Sequence, residues 1–150
     1  MAHKPRKPVI SKGEHILYHE KIRIPATLEE LHHVYSWAEA HLRQSGIAES
    51  KRFDIMLALS EAVTNAIRHG CHGSHGDFVD IEVTITDHAV NIRVHDCGTG
   101  FEPEKLPDPT TDENIYVPSG RGVFLIKSLA DDVRFDFSDN GTTVSVKFAL

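Results

Sequence analysis

With 150 residues, 40 % of them hydrophobic, the chain is long enough to bury one compact core and too short for two ordinary domains. A formal charge of −6 and the lack of a long basic stripe argue against a general nucleic-acid binder, which needs cations to displace phosphate counterions. Two cysteines, Cys71 and Cys97, give no disulfide framework and suit a reducing cytosol, and no apolar run approaches the ~18 residues a membrane span requires.

Residues 1–13 begin Met1-Ala2-His3-Lys4-Pro5-Arg6-Lys7-Pro8. Pro5 and Pro8 break any amphipathic pattern, so this stretch reads as a disordered basic tail and residues 14–150 as a single domain. His15 to Ile24 reads as a first strand. Thr27-Leu28-Glu29-Glu30 has the form of a capping box, opening a helix with Leu28, Leu31, Tyr35, Ala38 and Leu42 on one face and ending at Gly46.

A second helix starts near Ser50. Within it Glu61, Asn65 and His69 recur every four residues, forming one polar stripe among Ile55, Leu59, Val63, Ala66 and Ile67. A helix wetted on so narrow a line is largely buried, and an unpaired buried carboxylate costs several kcal/mol, roughly. Something polar should lie against that line. Capping or bridging to loops inside an ordinary core is the other reading of the same residues. A glycine- and histidine-rich loop, Gly70 to Gly76, follows. Its His69, Cys71, His72 and His75 are zinc-ligand types without a second paired set, which leaves a metal site there the weaker reading.

Phe78 to Thr86 is the next strand, turned back at Asp87-His88 into the alternating run Ala89-Val90-Asn91-Ile92-Arg93-Val94-His95. Asp96 follows where Gly98 and Gly100 break the ladder. A carboxylate at that rim suits a donating amino group such as the exocyclic amine of adenine, although a strand ending in Asp-x-Gly is also a common turn. Residues 102–118 carry Pro103, Pro107, Pro109 and Pro118 and no periodicity, which reads as a lid or binding loop rather than a helix. Gly120-Arg121-Gly122 then precedes a helix with Val123, Ile126 and Leu129 on one face. Exposed N–H groups and the Arg121 cation at a helix start make an anion site that would take a polyphosphate; a glycine hinge is the plainer alternative. Val133–Ser138 and Thr142–Phe148 form a hairpin closed by Asn140-Gly141. The order β, α, α, β, β, loop, α, β, β permits an α+β fold, a two-layer sandwich in which three helices cover one face of a mixed, mostly antiparallel sheet.

Taken in order, Glu61-x-x-x-Asn65, Asp96-x-Gly98-x-Gly100 and Gly120-x-Gly122 resemble the N, G1 and G2 boxes of the GHKL (Bergerat-fold) ATPases, a likeness running from about Phe53 to Leu150. Small size, the wording Ser60-Glu61-Ala62-Val63-Thr64-Asn65-Ala66 and the closing Asn140-Gly141-Thr142-Thr143-Val144 are similar to the anti-sigma-factor serine/threonine kinases of bacterial partner-switching systems. An asparagine oxygen suits Mg²⁺, and a carboxylate one turn earlier suits a general base for phosphoryl transfer. The resemblance implies the same roles: Glu61 as base, Asn65 on Mg²⁺, Asp96 on the adenine amine, Gly98 and Gly100 under the adenine, and Gly120 and Gly122 at the phosphates of ATP, with the Arg121 cation facing either the phosphates or a partner. By resemblance alone, Thr143 supports the adenine contact, and residues 102–118 are the ATP lid. It further implies a cytoplasmic kinase that phosphorylates a STAS-domain anti-anti-sigma protein, binds a sigma factor and pairs as a homodimer, without contacting nucleic acid or membrane. A non-catalytic ATP-gated binding module is the alternative. In one respect the chain departs from relatives that bind a sporulation sigma factor: Pro118 stands where they carry an arginine.

Overall fold

The structure, a computed structural model, describes residues 10–70, 77–97, 118–138 and 141–150. The tail over residues 1–9, the Cys71–Gly76 loop, Gly98, Gly100 and the proline-rich segment up to residue 117 lie outside the described residues.

Among the described residues five strands form one sheet: β1 (Ile16–Pro25), β2 (Phe78–Thr86), β3 (Ala89–Asp96), β4 (Asp132–Ser138) and β5 (Gly141–Ala149), in the spatial order β1-β2-β3-β5-β4. All four pairings are antiparallel, so the sheet has the antiparallel part of the expected mixture and no parallel pair among the described strands. Period-two patterning sets the faces. Val79, Ile81, Val83 and Ile85 of β2, Val90, Ile92 and Val94 of β3, and Val144, Val146 and Phe148 of β5 are buried on one side. Asp80, Glu82, Arg93 and His95 point to the other side, where Arg23 grips Asp80 through two hydrogen bonds of 2.8 and 3.2 Å.

Three helices cover the apolar face: α1 (Leu31–Gln44), α2 (Glu49–Asn65) and α3 (Pro118–Leu129). Their buried residues Val34, Ala38, Leu42, Ile55, Leu59, Val63 and Ile126 join the strand residues in one core. Against β1, α1 is fixed by Tyr18, whose ring stacks on His41 with centroids 3.9 Å apart and whose hydroxyl accepts from the Trp37 indole at 3.1 Å. In the β2–β3 turn, Thr86 Oγ1 accepts from the N–H of His88 and of Ala89, which explains a fully buried threonine.

Three local expectations change. Thr27 makes no side-chain cap; Leu28–Glu30 form a 3₁₀ turn instead, and the α-helix starts at Leu31. That later start turns the helix so that Val34, Ala38 and Leu42 face the core while Leu28 and Tyr35 face solvent. At the β4–β5 hairpin, Ser138 pairs with Gly141, which makes Gly141 the first residue of β5 rather than part of the turn. Finally, α3 begins at Pro118, a residue suited to a first helical position because it lacks an N–H, so that Gly120, Arg121 and Gly122 lie inside its N-terminal turns rather than before them.

Candidate functional site

Glu61 and Asn65 sit in the last turns of α2, one helical turn apart and on one face as the four-residue spacing requires. Asn65 is only 9 % exposed, and Glu61 is half-buried. Immediately after Asn65 the helix widens into a π turn over Ala66–Gly70, a feature that often marks functional sites in helices. Glu61 and Asn65 therefore lie on regular α-helix, and residue 69 in the π turn. This π turn packs against β3 and β5, the two strands that carry the other half of the site.

Opposite Glu61 and Asn65 lies α3, in contact with α2; its Val123 and Ile126 are buried, and Ile126 belongs to the core. Gly122 is the point of contact. A Cβ built on it would stand 2.8 Å from Glu61 Oε2 and 3.0 and 3.2 Å from the Asn65 side-chain nitrogen and oxygen. Glu61 and Asn65 thus lie against the backbone of α3 at Gly122, its fifth residue, one turn from the helix N-terminus, whose dipole favours an anion.

Asp96, the last residue of β3, is 2 % exposed. It pairs across the ladder with Thr142 of β5, whose backbone N–H donates to Asp96 Oδ1 at 3.4 Å. Directly paired residues of an antiparallel ladder share a face, so Asp96 and Thr142 both point to the helix side. Thr142 is fully buried, yet among the described residues its Oγ1 has no hydrogen-bond partner. A desolvated hydroxyl left in that condition costs about 1–3 kcal/mol and points to a missing partner beside Asp96.

Thr143 is elsewhere. It pairs with His95 on the opposite face, and its Oγ1 meets His95 Nδ1 at 2.8 Å. The sheet separates it from Asp96, so Thr142 is the threonine beside that carboxylate. The alternation of Val144, Val146 and Phe148 carried this information, since residues of even number on β5 face inward.

Gly141 supplies the last element. Its φ of +126° is one that L side chains rarely adopt, and a Cβ there would fall 1.7 Å from the Asp96 carbonyl oxygen and 3.1 Å from Cys97 Cα. Only glycine lets the start of β5 approach the end of β3 this closely, which fixes the backbone under Asp96. Among the described residues no group of three or more His, Cys, Asp or Glu side chains could hold a metal ion, and no helix is long and apolar enough to cross a membrane.

A buried carboxylate at a strand end, an asparagine one turn after a glutamate, and a glycine-bearing helix start laid on that pair share one face of the described antiparallel sheet. The family model described as "Histidine kinase-like ATPase domain" matches residues 24–148, and the chain belongs to that family. Within it the chain is similar to serine-protein kinase RsbW. RsbW of Listeria monocytogenes is 31 % identical over 119 residues, spanning 71 % of this chain and 76 % of the relative. RsbW of Staphylococcus aureus is 29 % identical over 133 residues, spanning 84 % and 83 %. Among solved structures, the RsbU and RsbW domains of a Mycobacterium tuberculosis protein match with a TM-score of 0.59 at 23 % identity, covering 86 % of this chain. The chain spans about a third, 32 %, of that longer protein. The histidine kinase domain of a blue-light activated histidine kinase from Erythrobacter litoralis matches with a TM-score of 0.52 at 20 % identity, covering 81 % of this chain and 60 % of that one. These two likenesses carry the fold. The expected GHKL membership and the anti-sigma-factor kinase resemblance are thereby met.

Proposed function

We propose that this chain is an ATP-dependent serine/threonine protein kinase and anti-sigma regulatory factor whose substrate is a serine of a STAS-type anti-anti-sigma protein. The observation that carries the reading is the convergence of Glu61 and Asn65 on Gly122 at the start of α3, because a base and a hard oxygen ligand beside helix-terminal N–H groups are what phosphoryl transfer asks of a protein. Membership of the family and likeness to RsbW kinases support it.

The residues suit the groups they would meet. Asp96 is an acceptor for the adenine amine, and the orphaned Thr142 hydroxyl beside it supplies a further donor or acceptor to the base or a bridging water. Thr142 takes the role that resemblance alone assigned to Thr143. Gly120, Arg121 and Gly122 lie in the turns of α3 that would face polyphosphate, with Gly98 and Gly100 expected under the base. Asn65 would hold Mg²⁺ through its amide oxygen, and the ion, when bound, neutralises charge on the phosphates. Glu61 accepts the proton of the attacking serine hydroxyl at a carboxylate oxygen, leaving the alkoxide to attack the terminal phosphorus and ADP to depart. A cytoplasmic setting, a homodimer and capture of a sigma factor when the STAS protein is unavailable belong to the same reading.

Incubating the purified chain with terminally labelled ATP, Mg²⁺ and a STAS-domain protein tests it. Label on a serine of the STAS protein is the expected result, and Glu61→Gln should bind ATP while losing transfer. ATP binding without transfer by the parent chain would identify the non-catalytic ATP-gated module instead.

A further inference from the structure

Gly122 does something a helix does not ordinarily ask of glycine. Its φ lies outside the positive range, since Gly13, Gly46 and Gly141 are the positive-φ glycines among the described residues, so backbone conformation does not require glycine at this position. It sits within α3, where alanine is the better helix former. It is buried, and what surrounds the missing side chain is specific: Glu61 Oε2 at 2.8 Å, Asn65 Nδ2 at 3.0 Å and Asn65 Oδ1 at 3.2 Å from an added Cβ. Gly13 and Gly46 meet nothing within 4 Å, and Gly141 meets only backbone.

We propose that Gly122 is a positioning residue: by offering only its Cα, it lets α3 lie against the side-chain ends of Glu61 and Asn65 and holds the proposed base and Mg²⁺ ligand as one registered pair. The inference deepens the kinase reading above and rests on it for its catalytic consequence, while the contact itself stands on geometry. Ile126, one turn further along the same helix, belongs to the core and α3 contacts α2, so the spacing at Gly122 is tied to core packing. Seating of α3 and alignment of the pair are then a single event. Displacing the start of α3 frees Glu61, and crowding it pushes Glu61 away.

The perturbation is Gly122→Ala. The nearest atom to the new methyl is the far end of a flexible glutamate, which can swing aside, so the fold survives and the carboxylate is displaced. Asn65, shorter and more deeply buried, has less room to move. The expected phenotype has three parts. The melting temperature stays within a few degrees of the parent. Affinity for ATP falls more in the presence of Mg²⁺ than in the presence of a chelator, so that the gain in affinity on adding Mg²⁺ drops at least about fivefold. For transfer to the protein substrate, kcat falls at least about tenfold with KM unchanged.

Adding Glu61→Asp, one methylene shorter, to Gly122→Ala relieves the crowding and raises transfer above the single variant, although Glu61→Asp alone lowers it. Thermal melts give a readout independent of catalysis. Gly122→Ala in a Glu61→Ala background melts at least about 2 °C higher, relative to its own background, than Gly122→Ala does relative to the parent, because the nearest of the three crowded atoms is gone and only the Asn65 amide remains. Strictly additive melting temperatures overturn the contact whether or not the chain is a kinase. Equal loss of ATP affinity with and without Mg²⁺ overturns the positioning role by showing that Gly122 acts on the nucleotide alone. A parent chain that binds ATP and transfers nothing refutes the kinase reading and leaves the melting and Mg²⁺ comparisons to decide the contact.

Discussion

Thr142→Val is the substitution whose two consequences run in opposite directions. The side chain is fully buried on β5, beside Asp96, and its hydroxyl oxygen has no partner among the described residues. Valine has nearly the same shape and a higher strand preference, so in the absence of nucleotide the change removes a desolvation penalty without opening a cavity. The gain should be about 1 kcal/mol, the lower end of the roughly 1–3 kcal/mol that an unsatisfied buried group costs. For a domain of this size that is about 2–4 °C in melting temperature. With nucleotide present the sign reverses, because the hydroxyl's hydrogen bond to adenine or its bridging water is lost. A loss of about 0.5–1.5 kcal/mol lowers ADP affinity roughly two- to tenfold.

Thermal melts and calorimetric titration of ADP on the parent and variant measure both effects. Thr143→Val is the internal control: it removes a 2.8 Å contact with His95 on the far face, so ADP affinity should not change and stability should fall by no more than about 1 kcal/mol. If Thr142→Val destabilises the nucleotide-free protein and leaves ADP affinity intact, while Thr143→Val weakens binding, the assignment of faces is wrong.

Other outcomes follow from the same geometry. Gly141→Ala should destabilise the domain by at least about 3 kcal/mol, since strain at a φ of +126° adds to a Cβ placed 1.7 Å from the Asp96 carbonyl oxygen; a urea midpoint equal to the parent's would exclude that close approach. Asp96→Asn should reduce the preference for ATP over GTP in competition binding, and equal binding of the two by the parent would remove the adenine role from Asp96. Acid should destabilise the protein. The hydrogen bond from the His15 N–H holds the Asp87 carboxyl below its usual range, and one from the Tyr18 hydroxyl does the same for Glu20. Burial pushes Asp80 upward, but its hydrogen bonds from Arg23 and the nearby Lys21 and Arg23 charges hold it low. Because each pKa is lower folded than unfolded, this stabilisation is complete above the ordinary carboxylate values of 3.8 to 4.5 and is lost as pH falls through and below them. A melting temperature that stays flat between pH 5 and pH 3, within roughly 1 °C, would contradict those shifts.

Most of the fold was legible because its signals are local and repeated. The runs Phe78–Thr86 and Ala89–Asp96 alternate strictly, and the observed strands begin and end at the residues the pattern names. The narrow polar line of Glu61 and Asn65 among apolar neighbours pointed to a buried helix with a polar contact, and the two residues meet Gly122. What the sequence hid depends on tertiary geometry. The 3₁₀ turn at Leu28–Glu30 shifts the start of α1, and nothing in Thr27-Leu28-Glu29-Glu30 distinguishes it from a capping box. Gly120-Arg121-Gly122 reads as a loop by helix propensity, yet α3, anchored in the core by Ile126 and in contact with α2, begins at Pro118. Thr142 and Thr143 are adjacent and chemically identical. Only the parity of β5, readable from Val144, Val146 and Phe148, separates the threonine beside Asp96 from the one behind it.

Titration of ATP and Mg²⁺ into the folded chain, with the Asp96→Ala variant alongside, bears most directly on the cleft between α2, α3 and the ends of β3 and β5. One site per chain, weakened at least about tenfold by Asp96→Ala and strengthened by Mg²⁺ only while Asn65 is present, is the expected result. A correctly folded parent chain that takes up no ATP, or binds it equally well without Asp96 and Asn65, would contradict it.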